Sequence, residues 1–189
     1  MEKIKILAIV GSLRKDSLNR QLALAAKEVL GDRAEFTILE YGDIPMMNED
    51  MEFPTPAAVA RVREAVKAAD GIWFFTPEYN HFMPGLLKNL LDWLSRPMSQ
   101  ELRRQVLARK PTAISGITPG LSGTCSAQDT LGSLLGIVNM DVMNSLRLTI
   151  ANAGQEQDKD GKLKLTVSQP FLEKQADLFL KFIDKRKNL

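Results

Sequence analysis

Ser12, Arg14, Ser17 and Asn19 fall within the nine-residue segment GSLRKDSLN that begins at Gly11. Two hydroxyls, a guanidinium and an amide so close together supply hydrogen-bond donors and one fixed positive charge, the groups that hold a phosphate. The segment follows an apolar run, Ile4 to Val10 (IKILAIV), and precedes LNRQLALAAKEVL, in which Leu22, Ala25, Ala26 and Val29 recur at helical spacing. A strand, a donor-bearing loop and a helix start form an anion site, because the first N–H groups of a helix have no intrahelical partner and the helix dipole is positive there. Ser12, Ser17 and Asn19 are also ordinary turn and N-cap residues. Arg14 is the residue that capping does not require. On the local pattern alone, capping and phosphate binding both stay open.

Two further loops carry unusual chemistry. One is Thr76-Pro77-Glu78-Tyr79-Asn80-His81, after the apolar run GIWFF. The other is Ser115-Gly116-Ile117-Thr118-Pro119-Gly120-Leu121-Ser122-Gly123. Neither G-x-G-x-x-G after the first strand nor G-x-x-x-x-G-K-[ST] occurs, which argues against a Rossmann dinucleotide site and an NTPase P-loop. His81 is the only histidine, and neither Ser12 nor Ser115 lies in a G-x-S-x-G elbow, so Ser-His-Asp hydrolysis has no framework. One histidine and one cysteine, Cys125, give no metal cluster. Cys125 reads as a small buried apolar residue, and Glu78, taken alone, as a solvated surface charge.

Strand-like and helix-like segments alternate through the chain. Strands are predicted at Ile4–Val10, Glu35–Leu39, Gly71–Thr76, Pro111–Gly116 and Met143–Ile150. Helices are predicted over 18–30, Ala57–Ala69, Pro84–Ser95, Thr124–Asn139 and Pro170–Arg186. The runs at Ile4, Gly71 and Pro111 are continuously apolar, as in strands covered on both faces. This is the pattern of one α/β domain over 1–189: a doubly wound, five-stranded parallel sheet with helices on both faces. Ligands of such sheets lie beyond the C-terminal strand ends, where the loops after the first, third and fourth strands converge. Those are the three chemically unusual loops. The loop Glu40 to Pro56 carries three prolines and reads as irregular, with Met46-Met47-Asn48 packing beside the sheet edge.

Bulk composition narrows the class further. The 189 residues are 44% hydrophobic with formal net charge +2, which leaves no basic footprint for nucleic acid and no acidic tail. One cysteine forms no intrachain disulfide and suits a reducing compartment. The apolar run ILAIV is shorter than a signal-peptide core, and no segment reaches membrane-spanning length, so a soluble cytoplasmic protein is expected.

GSLRKDSLN, IPMMNED (Ile44–Asp50) and TPEYNHFMPGLLKNLLDWLSRP (Thr76–Pro97), in register from the first strand to about Ile150, resemble the NADPH-dependent FMN reductase family. This is a flavodoxin-like group that includes quinone and chromate reductases. The resemblance implies strand order 2-1-3-4-5, bound FMN, and NADPH or NADH as co-substrate. It assigns the FMN phosphate to Ser12, Arg14, Ser17 and Asn19, and the isoalloxazine to Pro77, Glu78, Tyr79 and Asn80. Ser115 and Gly116 would border the flavin's other edge. Glu78 would be tied to the loop backbone and the dimer. Phe82 stands where many members have a small polar residue, and with His81 it would line the substrate side. No side chain is expected to be strictly catalytic, since the cofactor carries the redox chemistry. The expected reaction passes electrons from NAD(P)H through FMN to a quinone, free flavin, azo compound or chromate, with ping-pong kinetics. A flavodoxin-type carrier and a non-catalytic flavin module are the alternatives; such carriers are usually strongly acidic. The resemblance also implies a homodimer or dimer of dimers around the helix 84–95 and the helix after the fourth strand. Leu86, Leu87, Leu90, Leu91, Trp93 and Leu94 cover an arc of the former that is broader than one sheet contact requires.

Overall fold

The computed structural model describes residues 3–99 and 105–187. Its strands are β1 (Ile4–Val10), β2 (Ala34–Ile38), β3 (Gly71–Phe75), β4 (Pro111–Ile117), β5 (Asp141–Val142) and β6 (Leu148–Ile150). The helices are α1 (Leu18–Leu30), α2 (Ala57–Ala68), α3 (Gly85–Ser95), α4 (Cys125–Ile137) and α5 (Gln169–Lys187). These strands pair in parallel, in the order β2-β1-β3-β4-β5, and β6 also pairs with β4. The flavodoxin-like order is therefore present.

The continuous apolar runs follow from two covered faces. In β1, Ile6, Ala8 and Val10 join Trp73 and Phe75 beneath α1 and α5, against Leu22, Ala26, Leu172 and Phe179. The intervening Leu7 and Ile9 join Ile72 and Phe74 on the opposite face, against Val62, Val66, Leu87, Leu90, Leu131 and Leu135. Successive residues serve alternate cores, which is why the runs are almost continuously apolar. Each fully buried Leu, Ile or Phe contributes roughly 1.5–3 kcal/mol.

Two expectations change. The segment 143–150 is not one strand: β5 begins earlier, at Asp141, and β6 resumes only at Leu148. Between them Asn144 and Ser145 are exposed, and the Asn144 side chain accepts from the Arg147 guanidinium at 2.7 and 3.2 Å. A polar turn thus interrupts the ladder. The broad arc of α3 is also covered within the chain. Asn89, a polar residue beside that arc, is buried and bonds Met47 N–H and Pro45 C=O at 2.7 and 2.9 Å, while Trp93 Nε1 donates to the same carbonyl at 2.8 Å. The proline-rich segment lies over α3, so the breadth of the arc is no argument for a second chain. Met46 itself points outward.

Candidate active site

The cleft forms where three strands stop. The Gly11 N–H donates to the Phe75 carbonyl at 2.8 Å, and the Thr76 N–H to the Ser115 carbonyl at 2.9 Å, so β1, β3 and β4 release their loops side by side. Gly11 is demanded here by close approach rather than by an unusual turn. A Cβ at this position would lie 2.9 Å from Leu87 Cδ1 and 3.0 Å from Pro77 Cδ. The resulting cavity, about 140 Å³, is walled by Ser12, Arg14, Ser17, Leu18 and Asn19, by Pro77, Glu78 and Tyr79, and by Ile117, Thr118 and Pro119.

In the first loop both readings of the hydroxyls hold together. Ser17 is the N-cap of α1, its Oγ accepting from the Arg20 N–H at 3.4 Å, and Ser12 Oγ accepts from the Arg14 N–H at 3.3 Å. Each hydroxyl still carries a proton to donate. The N–H groups of Leu18 and Asn19, at the first turn of α1, have no acceptor among the described residues. The Arg14 guanidinium likewise has no hydrogen-bond or ion-pair partner among the described residues, although it lines the cleft. Unpartnered donors, a fixed cation and a helix N-terminus thus face one space.

Asn19 departs from its expected role as a side-chain phosphate ligand. It is 3% exposed; its Nδ2 donates to the Ile117 carbonyl at 3.0 Å and its Oδ1 accepts the Ile117 N–H at 3.1 Å. Both ends of the amide are thus engaged by the Ile117 backbone, and the Asn19 N–H at the helix start is a further donor for an anion.

The second loop is a hairpin tip. Tyr79 and Phe82 exchange N–H···O=C bonds at 3.2 and 3.1 Å, while Asn80 (φ 52°) and His81 (φ 58°) turn the chain in the left-handed region. Two consecutive positive φ angles define a primed two-residue turn, for which Asn is a favoured type. Asn80, His81 and Phe82 are exposed and lie outside the cleft wall. Glu78 anchors this hairpin. Its side chain is 5% exposed, His81 Nδ1 stands 3.3 Å from Oε1, and Oε2 accepts the Ala127 N–H of α4 at 3.1 Å. Burial alone would raise the carboxyl; the Ala127 N–H, the Ser122 hydroxyl and His81 outweigh it and hold the carboxyl below its ordinary range. The solvated-charge reading of Glu78 is therefore replaced by a buried anchor.

The fourth strand gives the clearest correction. Ser115 does not border the cleft: its hydroxyl accepts from Trp73 Nε1 at 2.8 Å and donates to Gln175 Oε1 at 2.7 Å, fully buried beneath α5. Gly116 is buried too, packed against Thr124 and Thr76. The strand runs one residue beyond its expected end, to Ile117, so the cleft residues are Ile117, Thr118 and Pro119. Thr118 N–H donates to the Ile150 carbonyl at 3.0 Å and the Ala153 N–H donates to the Thr118 carbonyl at 3.1 Å, which ties this loop to the chain beyond β6. The missed signal was the β-branched Ile117, which extends the apolar run by one position. Cys125, expected to be buried, is exposed at the start of α4. Among the described residues no group of three His, Cys, Asp or Glu could hold a metal ion.

The comparisons with known proteins agree with this geometry. A 2-hydroxy-1,4-benzoquinone reductase of Burkholderia sp is 33% identical over 184 residues, covering 97% of this chain and 98% of the relative. A quinone reductase of Pseudomonas putida is 36% identical over 179 residues, 94% of each chain. Among solved structures, FerB, a flavoenzyme NAD(P)H:(acceptor) oxidoreductase from Paracoccus denitrificans, superposes with a TM-score of 0.86 at 34% identity, covering 97% of this chain and 99% of that one. The family's sequence model matches residues 4–155, and the chain belongs to the NADPH-dependent FMN reductase family, oxidoreductases that work with FMN and NAD(P)H.

Proposed function

We propose that the three-loop cleft holds FMN, and that the enzyme transfers electrons from NAD(P)H to a small acceptor, a quinone first and also free flavin, azo compounds or chromate. The phosphate is assigned to the Ser12 and Ser17 hydroxyls, the Arg14 guanidinium and the N–H groups of Leu18 and Asn19. Pro77, Glu78 and Tyr79 on one side, and Thr118 and Pro119 on the other, are assigned to the ring. The observation that carries the reading is the unpartnered Arg14 guanidinium beside a capped helix N-terminus, open to the cavity. Arginine retains its charge at every physiological pH, and its planar fork matches the oxygens of a phosphate. A phosphate supplies the missing partner.

FMN, when bound, supplies the hydride-accepting and hydride-donating chemistry. The chain's own residues bind and orient: Pro77 stiffens the approach to the hairpin, Glu78 fixes it to α4, and Tyr79 offers an aromatic wall worth about 0.5–1.5 kcal/mol beyond area burial. No side chain acts as an acid or base. His81 and Phe82, at the hairpin tip, are assigned to the acceptor. Donor and acceptor use the cleft in turn, which gives parallel lines in double-reciprocal plots. The names of the Burkholderia and Pseudomonas relatives favour a quinone. A homodimer or dimer of dimers in the cytoplasm fits this reading. Exposed apolar side chains on the rim loops, Leu13, Tyr79, Phe82 and Leu121, support self-association there. No helix among the described residues is long and apolar enough to cross a membrane.

The test is the visible spectrum of the purified protein after incubation with FMN, followed by anaerobic titration with NADPH and addition of a quinone. Retained yellow colour, bleaching by NADPH and return of colour with the quinone are expected. No colour retained after FMN incubation overturns the reading. Colour without bleaching by NADPH would favour a carrier or a passive flavin module.

A further inference from the structure

β3 leaves the sheet two residues before β4 does. Its last paired residue is Phe75, opposite Ser115, and the Thr76 N–H makes the final bond, to the Ser115 carbonyl. Pro77 follows, with no N–H to offer, and the chain turns into the hairpin. In a parallel ladder, residues of the same parity direct their N–H and C=O to the same neighbour. Ile117, two beyond Ser115, therefore presents both groups toward the place that β3 has vacated. The Asn19 side chain stands in that place, its Oδ1 on the Ile117 N–H at 3.1 Å and its Nδ2 on the Ile117 carbonyl at 3.0 Å. A carboxamide carries the same donor and acceptor pair as a peptide unit, and so it completes the ladder.

We propose that Asn19 is a positioning residue: a surrogate peptide of β3 that sets the spacing between the anion-binding start of α1 and the third rim loop. The two ends of the clasp lie directly in the cavity wall. Leu18, beside Asn19, and Thr118, beside Ile117, both line it. The residues joined are 98 positions apart in the chain, so nothing local holds them together. Loosening the clasp moves the phosphate loop against the ring loop and weakens the cofactor as a whole. Losing a phosphate ligand weakens only the phosphate. The proposal rests on the FMN reading above.

The experiment compares Asn19→Ala with Arg14→Ala, each as apoprotein, by titrating FMN and riboflavin well below the melting temperature. Visible circular dichroism is recorded on the FMN-saturated forms. Asn19→Ala is expected to weaken FMN and riboflavin together by about tenfold, the worth of two neutral hydrogen bonds. It is also expected to change the dichroism of the bound ring. Arg14→Ala is expected to weaken FMN alone and to leave the dichroism at saturation as in wild type. Asn19→Ser, which retains one donor and acceptor on a shorter arm, falls between wild type and Ala and serves if Ala does not fold. The proposal is overturned if Asn19→Ala weakens FMN only, since the amide is then a phosphate ligand. It is equally overturned if neither affinity nor dichroism changes, since the bonds then serve the core alone. Wild-type protein that binds neither flavin sinks the cofactor reading itself, a separate outcome.

Discussion

Gly116 and Thr124 are packed so tightly that a Cβ on the glycine would lie 2.1 Å from the Thr124 hydroxyl oxygen; the Thr76 carbonyl oxygen would be 2.5 Å away. Thr124 itself sits in the left-handed region at φ 68°, fully buried, with its hydroxyl accepting from Gln128 Nε2 at 3.1 Å. The start of α4 is thus pressed onto the junction of β3 and β4, where the cleft loops diverge. Backbone cannot retreat as a flexible side chain would. Gly116→Ala is expected to destabilise the protein by about 1–3 kcal/mol, the range for overpacking. It should also weaken FMN, because Thr118 and Pro119 follow directly. Differential scanning calorimetry and an FMN titration check both. An unchanged melting temperature would mean that α4 shifts freely.

Arg14 makes the sharpest prediction about the cofactor. A hydrogen bond to a charged group is worth about 1.5–3 kcal/mol, so Arg14→Ala is expected to weaken FMN roughly ten- to a hundredfold. Riboflavin, lacking the phosphate, should bind as to wild type. Arg14→Lys should recover part of the loss, since an ammonium supplies charge without the guanidinium's fork. Raised salt should weaken FMN binding to wild type more than to Arg14→Ala.

Glu78 predicts a split between affinity and stability. The carboxylate holds the hairpin to α4 through the Ala127 N–H, and the hairpin tip carries little core. Glu78→Ala is expected to raise the FMN dissociation constant and the acceptor KM while lowering the melting temperature only slightly. Glu78→Gln, which keeps an acceptor oxygen for Ala127, should be milder in all three. Steady-state kinetics with saturating FMN, beside a thermal melt, separate these effects. A large stability loss without a change in KM would contradict the anchoring role.

Glu156 is expected to contribute to the pH dependence of stability. Burial would raise its carboxyl, but the Ser168 hydroxyl and N–H, the Thr166 N–H and the Thr166 hydroxyl together hold it below the ordinary value of 4.5. The Thr166 and Ser168 N–H groups donate at 2.6 and 2.8 Å, just ahead of α5. A carboxyl depressed in the folded state stabilises fully above its unfolded pKa, and this contribution is lost as pH falls through the folded value. Glu156→Gln should therefore be less stable than wild type at pH 7, by about 1–3 kcal/mol for hydrogen bonds no longer made to a charge. The gap should close as pH falls below the ordinary value of 4.5. Urea melts across that range measure it, and a gap independent of pH would refute the assignment.

What the sequence by itself determined was the first four strands, the doubly covered character of the central ones and the loops that bear chemistry. Ile4–Val10, Gly71–Phe75 and Pro111–Ile117 announce burial on both faces through unbroken apolar runs, and the donor-rich GSLRKDSLN can only follow the first of them. What only the tertiary structure decided was which polar groups remain free. Asn19 has the same type and spacing whether it holds a phosphate or completes a ladder; the choice depends on β3 ending at Phe75, far away in the chain. Ser115 and Ser12 are equally good hydroxyls, yet Trp73 and Gln175 occupy the first and no side chain occupies the second. Asn89 and Trp93 face a covering segment more than forty residues earlier, which no periodicity of α3 records. Hydrophobic patterning is a property of neighbours along the chain. The satisfaction of a donor or acceptor is a property of whichever backbone arrives beside it, and that is settled only when the chain has closed on itself.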